Sequence, residues 1–199
     1  PMNPEQRIRQ HFETSAATAL ETGAAIGLQV VDAARRVATV YDNDGKVLLC
    51  GNGGSASDAL HFSAELLCRY EKERQPLAAI ALPADTATLT AAGNDYDFSQ
   101  IFSRQISGLG RPNDVLIVFT TSGQSPNILE ATKAATAAGL GVSELTGRDG
   151  GPLAGLLGTN DLELRVPADS TARIQEAHAI IIHCICDLID LHVTGETRL

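Results

Sequence analysis

Between Lys46 and Val166 the sequence alternates short apolar runs with stretches of helical period. The spacing predicts strands at Val47–Cys50, Ala78–Leu82, Val115–Phe119, Gly141–Leu145 and Leu162–Val166. Helices are predicted at about Ser57–Tyr70, Thr86–Ala92, Tyr96–Gly108, Pro126–Ala138 and Pro152–Leu157, and the last and longest covers Thr171–His192. Runs that are apolar throughout are buried on both faces. Separated by helices, they specify a parallel sheet with helices packed on each side, an α/β fold.

Ahead of this pattern stands a helical segment, residues 1–45. Asn3-Pro4 reads as an N-cap and first helical residue. Apolar spacing predicts a helix to about Leu20, a break near Gly23 and a second helix from Ala24 to about Tyr41. Asn43-Asp44-Gly45 is a turn signal. Residues 46–195 form the sheet domain, and at 199 residues the whole reads as one structural domain. No internal repeat, low-complexity segment or linker interrupts it.

Ligands of such sheets bind beyond the carboxyl ends of the strands, and two of those ends carry unusual loops. One is Gly51-Asn52-Gly53-Gly54-Ser55. The other lies in "VFTTSGQSPN", where Thr120, Thr121, Ser122 and Ser125 place four hydroxyls in six residues before a helix. Glycines let backbone N–H groups approach a ligand, and a helix N-terminus adds unpaired donors and a positive dipole end. A phosphate can then be held without Lys or Arg. Serine and threonine also cap helices, the plainer account of either loop alone. "GNGGSA" fits the loose dinucleotide fingerprint G-x-G-x-x-A. The acidic residue that the fingerprint wants near the end of the next strand is missing, since the first acid there is Asp85.

His61 and Glu65 are four apart and share a helical face. Gln175 and His183, eight apart, share a side of the last helix, whereas His178 lies about 140° from His183 around that helix. Two nitrogen and two oxygen donors suit zinc or a similar ion. Taken singly, the first pair also reads as a solvated salt bridge, and His183 as a core histidine among isoleucines.

The chain carries a net charge of −9, with no basic stretch to replace counterions on nucleic acid. No uncharged run of 18 residues is present to span a membrane. The four cysteines, Cys50, Cys68, Cys184 and Cys186, form no C-x-x-C pair and read as reduced thiols of a cytoplasmic protein.

"CGNGGSASDALHFSAEL", "AAGNDYDFSQIFSRQI", "TTSGQSPNILEA" and "RIQEAHAIIIHCICDLID" occur in order. Together they resemble the phosphoheptose isomerases of the sugar isomerase (SIS) family over about residues 5–195. The resemblance implies a five-stranded parallel sheet in three flavodoxin-like layers, a homotetramer and one zinc ion per site. It implies conversion of a phosphorylated seven-carbon sugar, sedoheptulose 7-phosphate to D-glycero-D-manno-heptose 7-phosphate, for lipopolysaccharide heptose. Matched residue by residue, Asn52, Gly53, Gly54 and Ser55 meet substrate, Asn94 and Asp95 meet sugar hydroxyls, and Thr120, Thr121, Ser122 and Ser125 hold phosphate. His61, Glu65, Gln175 and His183 match the metal ligands, with Glu65 and Gln175 also near substrate.

Three positions depart from the family pattern. Thr120 stands where serine is expected, Leu60 where glutamine is expected, and Glu144 where alanine is expected. Glu144 calls for a partner or an exposed strand end.

Ketose–aldose isomerisation needs a base at carbon and stabilisation of the enediolate. Glu65 is the expected base and His183 its partner acid/base. A second reading is a non-catalytic SIS protein that binds the replication initiator DnaA, in which these two positions would hold residues unable to move protons. A third is a sugar-phosphate sensor, which needs the cradle but not Glu65. The last helix, apolar on nearly every side, calls for a neighbouring copy to cover it.

Overall fold

The computed structural model describes residues 3–199; Pro1 and Met2, part of the predicted N-terminal segment, lie outside them. The first helix, α1, runs unbroken over Pro4–Asp42. Asn3 caps it. Its side chain accepts the Gln6 N–H at 2.8 Å, and the Gln6 side chain accepts the Asn3 N–H in return. The predicted break near Gly23 does not occur. A helical glycine costs only about 1 kcal/mol relative to alanine. Here a buried stripe, Thr22, Ile26, Val30, Ala33 and Val37, carries the helix past it against the rest of the fold.

The five strands are β1 (Val47–Gly51), β2 (Ala79–Ala81), β3 (Val115–Phe119), β4 (Gly141–Gly147) and β5 (Leu162–Val166). All pair in parallel, in the order β2-β1-β3-β4-β5. The middle strands are buried on both faces, as their continuous apolar runs require. One face packs Leu49, Ile117, Phe119 and Leu145 against α1, α2 (Gly54–Leu67) and α6 (Thr171–Val193). The other packs Leu48, Cys50, Leu116 and Val118 against α4 (Ser103–Leu109) and α5 (Pro126–Ala137), with α3 (Thr86–Asp95) following β2.

Element edges differ from expectation where local chemistry intervenes. Helix α2 starts three residues early, because Gly53 turns the chain at φ +57° directly into it, and ends at Leu67. The predicted helix Tyr96–Gly108 is broken. Asp97 accepts the Ser99 N–H and starts a separate 3-10 turn at Phe98–Gln100 before α4. Gly151–Leu156 is likewise a 3-10 turn. Among the described residues no helix is long and apolar enough to cross a membrane.

Glu144 has neither an exposed strand end nor a cation. It is wholly buried in β4, with Oε1 accepting from Thr132 Oγ1 at 3.3 Å and Oε2 without a partner. Burial pushes its carboxyl up to about 8; the Thr132 bond opposes this, and Glu163 and Asp161 add to it.

Candidate active site

β1 and β3 lie side by side while the chain leaves them in opposite directions, so the sheet order reverses between them. At such a reversal the loops after the two strands part and leave a crevice. Three glycines shape it. A Cβ at Gly54 would meet the Gln175 side chain at 2.6 Å. One at Gly123 would collide with the Gly150 carbonyl, and Gly53 and Gly123 both hold left-handed φ. The resulting cavity, about 320 Å³, is lined by Asn52 to Ser55, Phe119 to Ser122, Ser125, and Thr171 and Gln175 of α6.

The hydroxyls are not equivalent. Thr120 is buried and its Oγ1 accepts the Gly123 N–H at 3.1 Å, which shapes the loop and leaves its own O–H to donate. Ser125 occupies the N-cap of α5 yet makes no side-chain cap bond, so its hydroxyl is not consumed by the helix. Asn52 and Asn127 exchange amide hydrogen bonds of 2.9 and 2.8 Å that tie the first loop to the start of α5. No chemistry-bearing pattern in the sequence singles out Asn127. Its one signal is its place directly after the hydroxyl loop.

At the other end of α2 three side chains converge. His61 Nε2 lies 3.0 Å from Glu65 Oε1 and 3.4 Å from His183 Nε2. Donor atoms of all three fall within 4.8 Å of one another. One ring N–H at His61 Nε2 cannot serve both the Glu65 carboxylate and the His183 nitrogen, so the donor set fits a cation at their common point. Tyr70 stacks on the His183 ring, centroids 5.5 Å apart. Asp58, one turn before His61, has Oδ2 buried without a partner. Burial raises its carboxyl to about 6, opposed by His61.

Five other positions stand apart from this group. Gln175 sits at the cavity against Gly54, and no contact of it with the three is seen. His178 is wholly buried, and its Nε2–H donates to the Thr146 carbonyl at 3.0 Å. Burial pushes it down to about 4, and the carbonyl bond pulls it back up, so the ring is neutral at pH 7. Asn94 and Asp95 close α3, exposed and bonded to each other at 2.8 Å, and neither lines the cavity. Leu60 is exposed on α2.

The sequence profile described as SIS domain matches residues 10–147. The chain belongs to the SIS domain family. It is 50% identical over 194 residues to a phosphoheptose isomerase of Alkalilimnicola ehrlichii, covering 98% of this chain and 99% of that one. The solved phosphoheptose isomerase of Francisella tularensis superposes with a TM-score of 0.93 at 48% identity, covering 95% of this chain and 99% of that one. The Neisseria gonorrhoeae phosphoheptose isomerase gives 0.89 at 46%, covering 94% and 99%. This SIS chain therefore has full-length likeness, over both the sheet and the helices that carry His61, Glu65 and His183.

Proposed function

We propose that this chain is a phosphoheptose isomerase that interconverts sedoheptulose 7-phosphate and D-glycero-D-manno-heptose 7-phosphate in the cytoplasm. The observation that carries the reading is the meeting of His61, Glu65 and His183 at one end of α2 while the Gly/Ser cradle sits at the other. On α6, eight residues separate Gln175 at the cradle from His183, about 12 Å along the axis. That span suits a ligand with phosphate at one end and a carbonyl at the other.

In this reading Thr121, Ser122 and Ser125, with Thr120, Ser55, Gly53 and Gly54, hold the phosphate and orient the sugar. Asn52 and Gln175 meet the chain between. Asn94 and Asp95 keep their sugar-hydroxyl role on the resemblance alone. Glu65 takes the proton from the carbon beside the carbonyl, and His183 moves a proton between the two oxygens of the enediolate. His61, Glu65 and His183 would hold zinc, which would supply Lewis-acid polarisation of the carbonyl, while Gln175, expected as a fourth ligand, stays with the substrate at the cradle end.

A homotetramer is part of the same proposal. An apolar groove of about 340 Å³ runs between α1 and α6, past Ile26, Val30, Ile181 and Cys184. Leu20, Leu28 and Ile180 stand exposed near it. A second copy of the chain would cover this face.

The test is conversion of sedoheptulose 7-phosphate by the purified chain, followed by proton NMR, before and after chelation. Aldose formation that falls on chelation supports the reading. Absence of any product from the untreated protein contradicts it.

A further inference from the structure

Between α2 and β2 the residues after Leu67 form an irregular segment that is fastened beside the His61–Glu65–His183 group. Arg74 Nε donates to Asp190 Oδ1 of α6 at 2.6 Å, with both side chains almost wholly buried. The same guanidinium caps the last turn of α2, donating to the carbonyls of Leu66 at 2.9 Å and Glu65 at 2.8 Å. The other oxygen of Asp190 accepts the N–H groups of Glu71 at 3.0 Å and Lys72 at 2.9 Å. Tyr70, directly before them, lays its ring on His183 with the planes 27° apart.

Each link joins an element of the site to another. Arg74 keys the end of α2, where Glu65 sits, to α6. Asp190 lies seven residues beyond His183, close to two turns on and on the same side of the helix. The Tyr70 stack then limits rotation of the imidazole. A buried ion pair is weak evidence for stability, because desolvation offsets much of its attraction. This one has its hydrogen bonds met by backbone groups of both neighbouring segments, an arrangement that specifies geometry.

We propose that Tyr70, Arg74 and Asp190 form a positioning clamp that holds the Glu65 carboxylate and the His183 imidazole at their working separation. The clamp rests on the reading of Glu65 and His183 as the reacting pair. Its three members touch neither the cradle nor the cavity, so phosphate binding is independent of it. Loss of the clamp therefore lowers kcat and leaves KM in place.

The experiment compares Tyr70→Leu, Tyr70→Phe, Asp190→Asn and Glu65→Gln with the wild type. Readouts are the thermal midpoint, kcat and KM for sedoheptulose 7-phosphate, and zinc affinity by competition with a chromophoric chelator. Tyr70→Leu, at a half-buried position, keeps the fold even if Asp190→Asn does not. It lowers kcat and zinc affinity by about tenfold or more, the usual scale for groups that orient a ligand set, with KM within twofold. Tyr70→Phe keeps the ring and restores both. Tyr70→Leu with kcat and zinc affinity within twofold of wild type, beside an inactive Glu65→Gln, overturns the clamp. An active Glu65→Gln overturns the assignment beneath it.

Discussion

His61 and His183, 122 positions apart in the chain, face each other with Nε2 atoms 3.4 Å apart. Two imidazole nitrogens at that distance, with the Glu65 carboxylate 3.0 Å from the same His61 atom, form a donor set that a divalent cation satisfies better than a proton. The contact arises inside one chain. A neighbouring copy is therefore not needed to bring Glu65 and His183 together.

Removing one ligand tests that donor set. His61→Ala is expected to lose bound zinc and activity together, each by tenfold or more, the scale at which even orienting groups act. Elemental analysis of the purified variant beside its turnover checks this. Stoichiometric metal in His61→Ala would contradict the ligand set.

The cradle makes a separate prediction. Ser122→Ala with Ser125→Ala weakens binding of sedoheptulose 7-phosphate, since each hydrogen bond to a charged group contributes about 1.5–3 kcal/mol. Calorimetric titration should show at least a tenfold rise in dissociation constant. An unchanged constant places the phosphate elsewhere.

Glu144 predicts a pH dependence of stability. Its folded carboxyl titrates at about 8, above the ordinary value of 4.5. Below pH 4.5 both folded and unfolded forms are protonated and the group has no effect. Between pH 4.5 and 8 only the unfolded chain has released the proton, so stability falls as pH rises, by up to about 1.4 kcal/mol per unit. Glu144→Gln removes this penalty. The difference in thermal midpoint, variant minus wild type, is expected to grow from pH 5 to pH 8. A difference that stays constant across that range would show Glu144 ionised in the fold.

The α1–α6 groove predicts association. Leu28→Asp and Ile180→Asp, both at exposed positions, should shift sedimentation toward smaller species while the wild type sediments as a tetramer. A wild type that is monomeric and fully active at assay concentration would contradict the oligomer.

Much of this architecture was legible in the sequence because it rests on patterns with one physical meaning. Val115–Phe119 begins and ends where its apolar run does, Leu162–Val166 where its alternation of apolar and charged residues does, and Asn3 caps α1 through its own side chain. The His61–Glu65 spacing could be read from helical period alone. Its meeting with His183 could not, because that depends on how α2 and α6 pack. Gly23 misled because glycine's local cost is small beside the burial of the stripe around it. Asn127, Tyr70, Arg74 and Asp190 were invisible for a related reason. Each acts through a partner distant in sequence; Asn127 and Asp190 fall within the quoted motifs, but nothing local in them shows that partner.

The account turns on Glu65 as the base at carbon, and one comparison addresses it directly. Glu65→Gln fills the same space but cannot accept a carbon-bound proton. Turnover of sedoheptulose 7-phosphate and its equilibrium binding, measured on the same preparation, should separate. The account predicts a loss of about 10²- to 10⁴-fold in turnover with the dissociation constant within a few-fold of wild type. Turnover within a few-fold of wild type would contradict it.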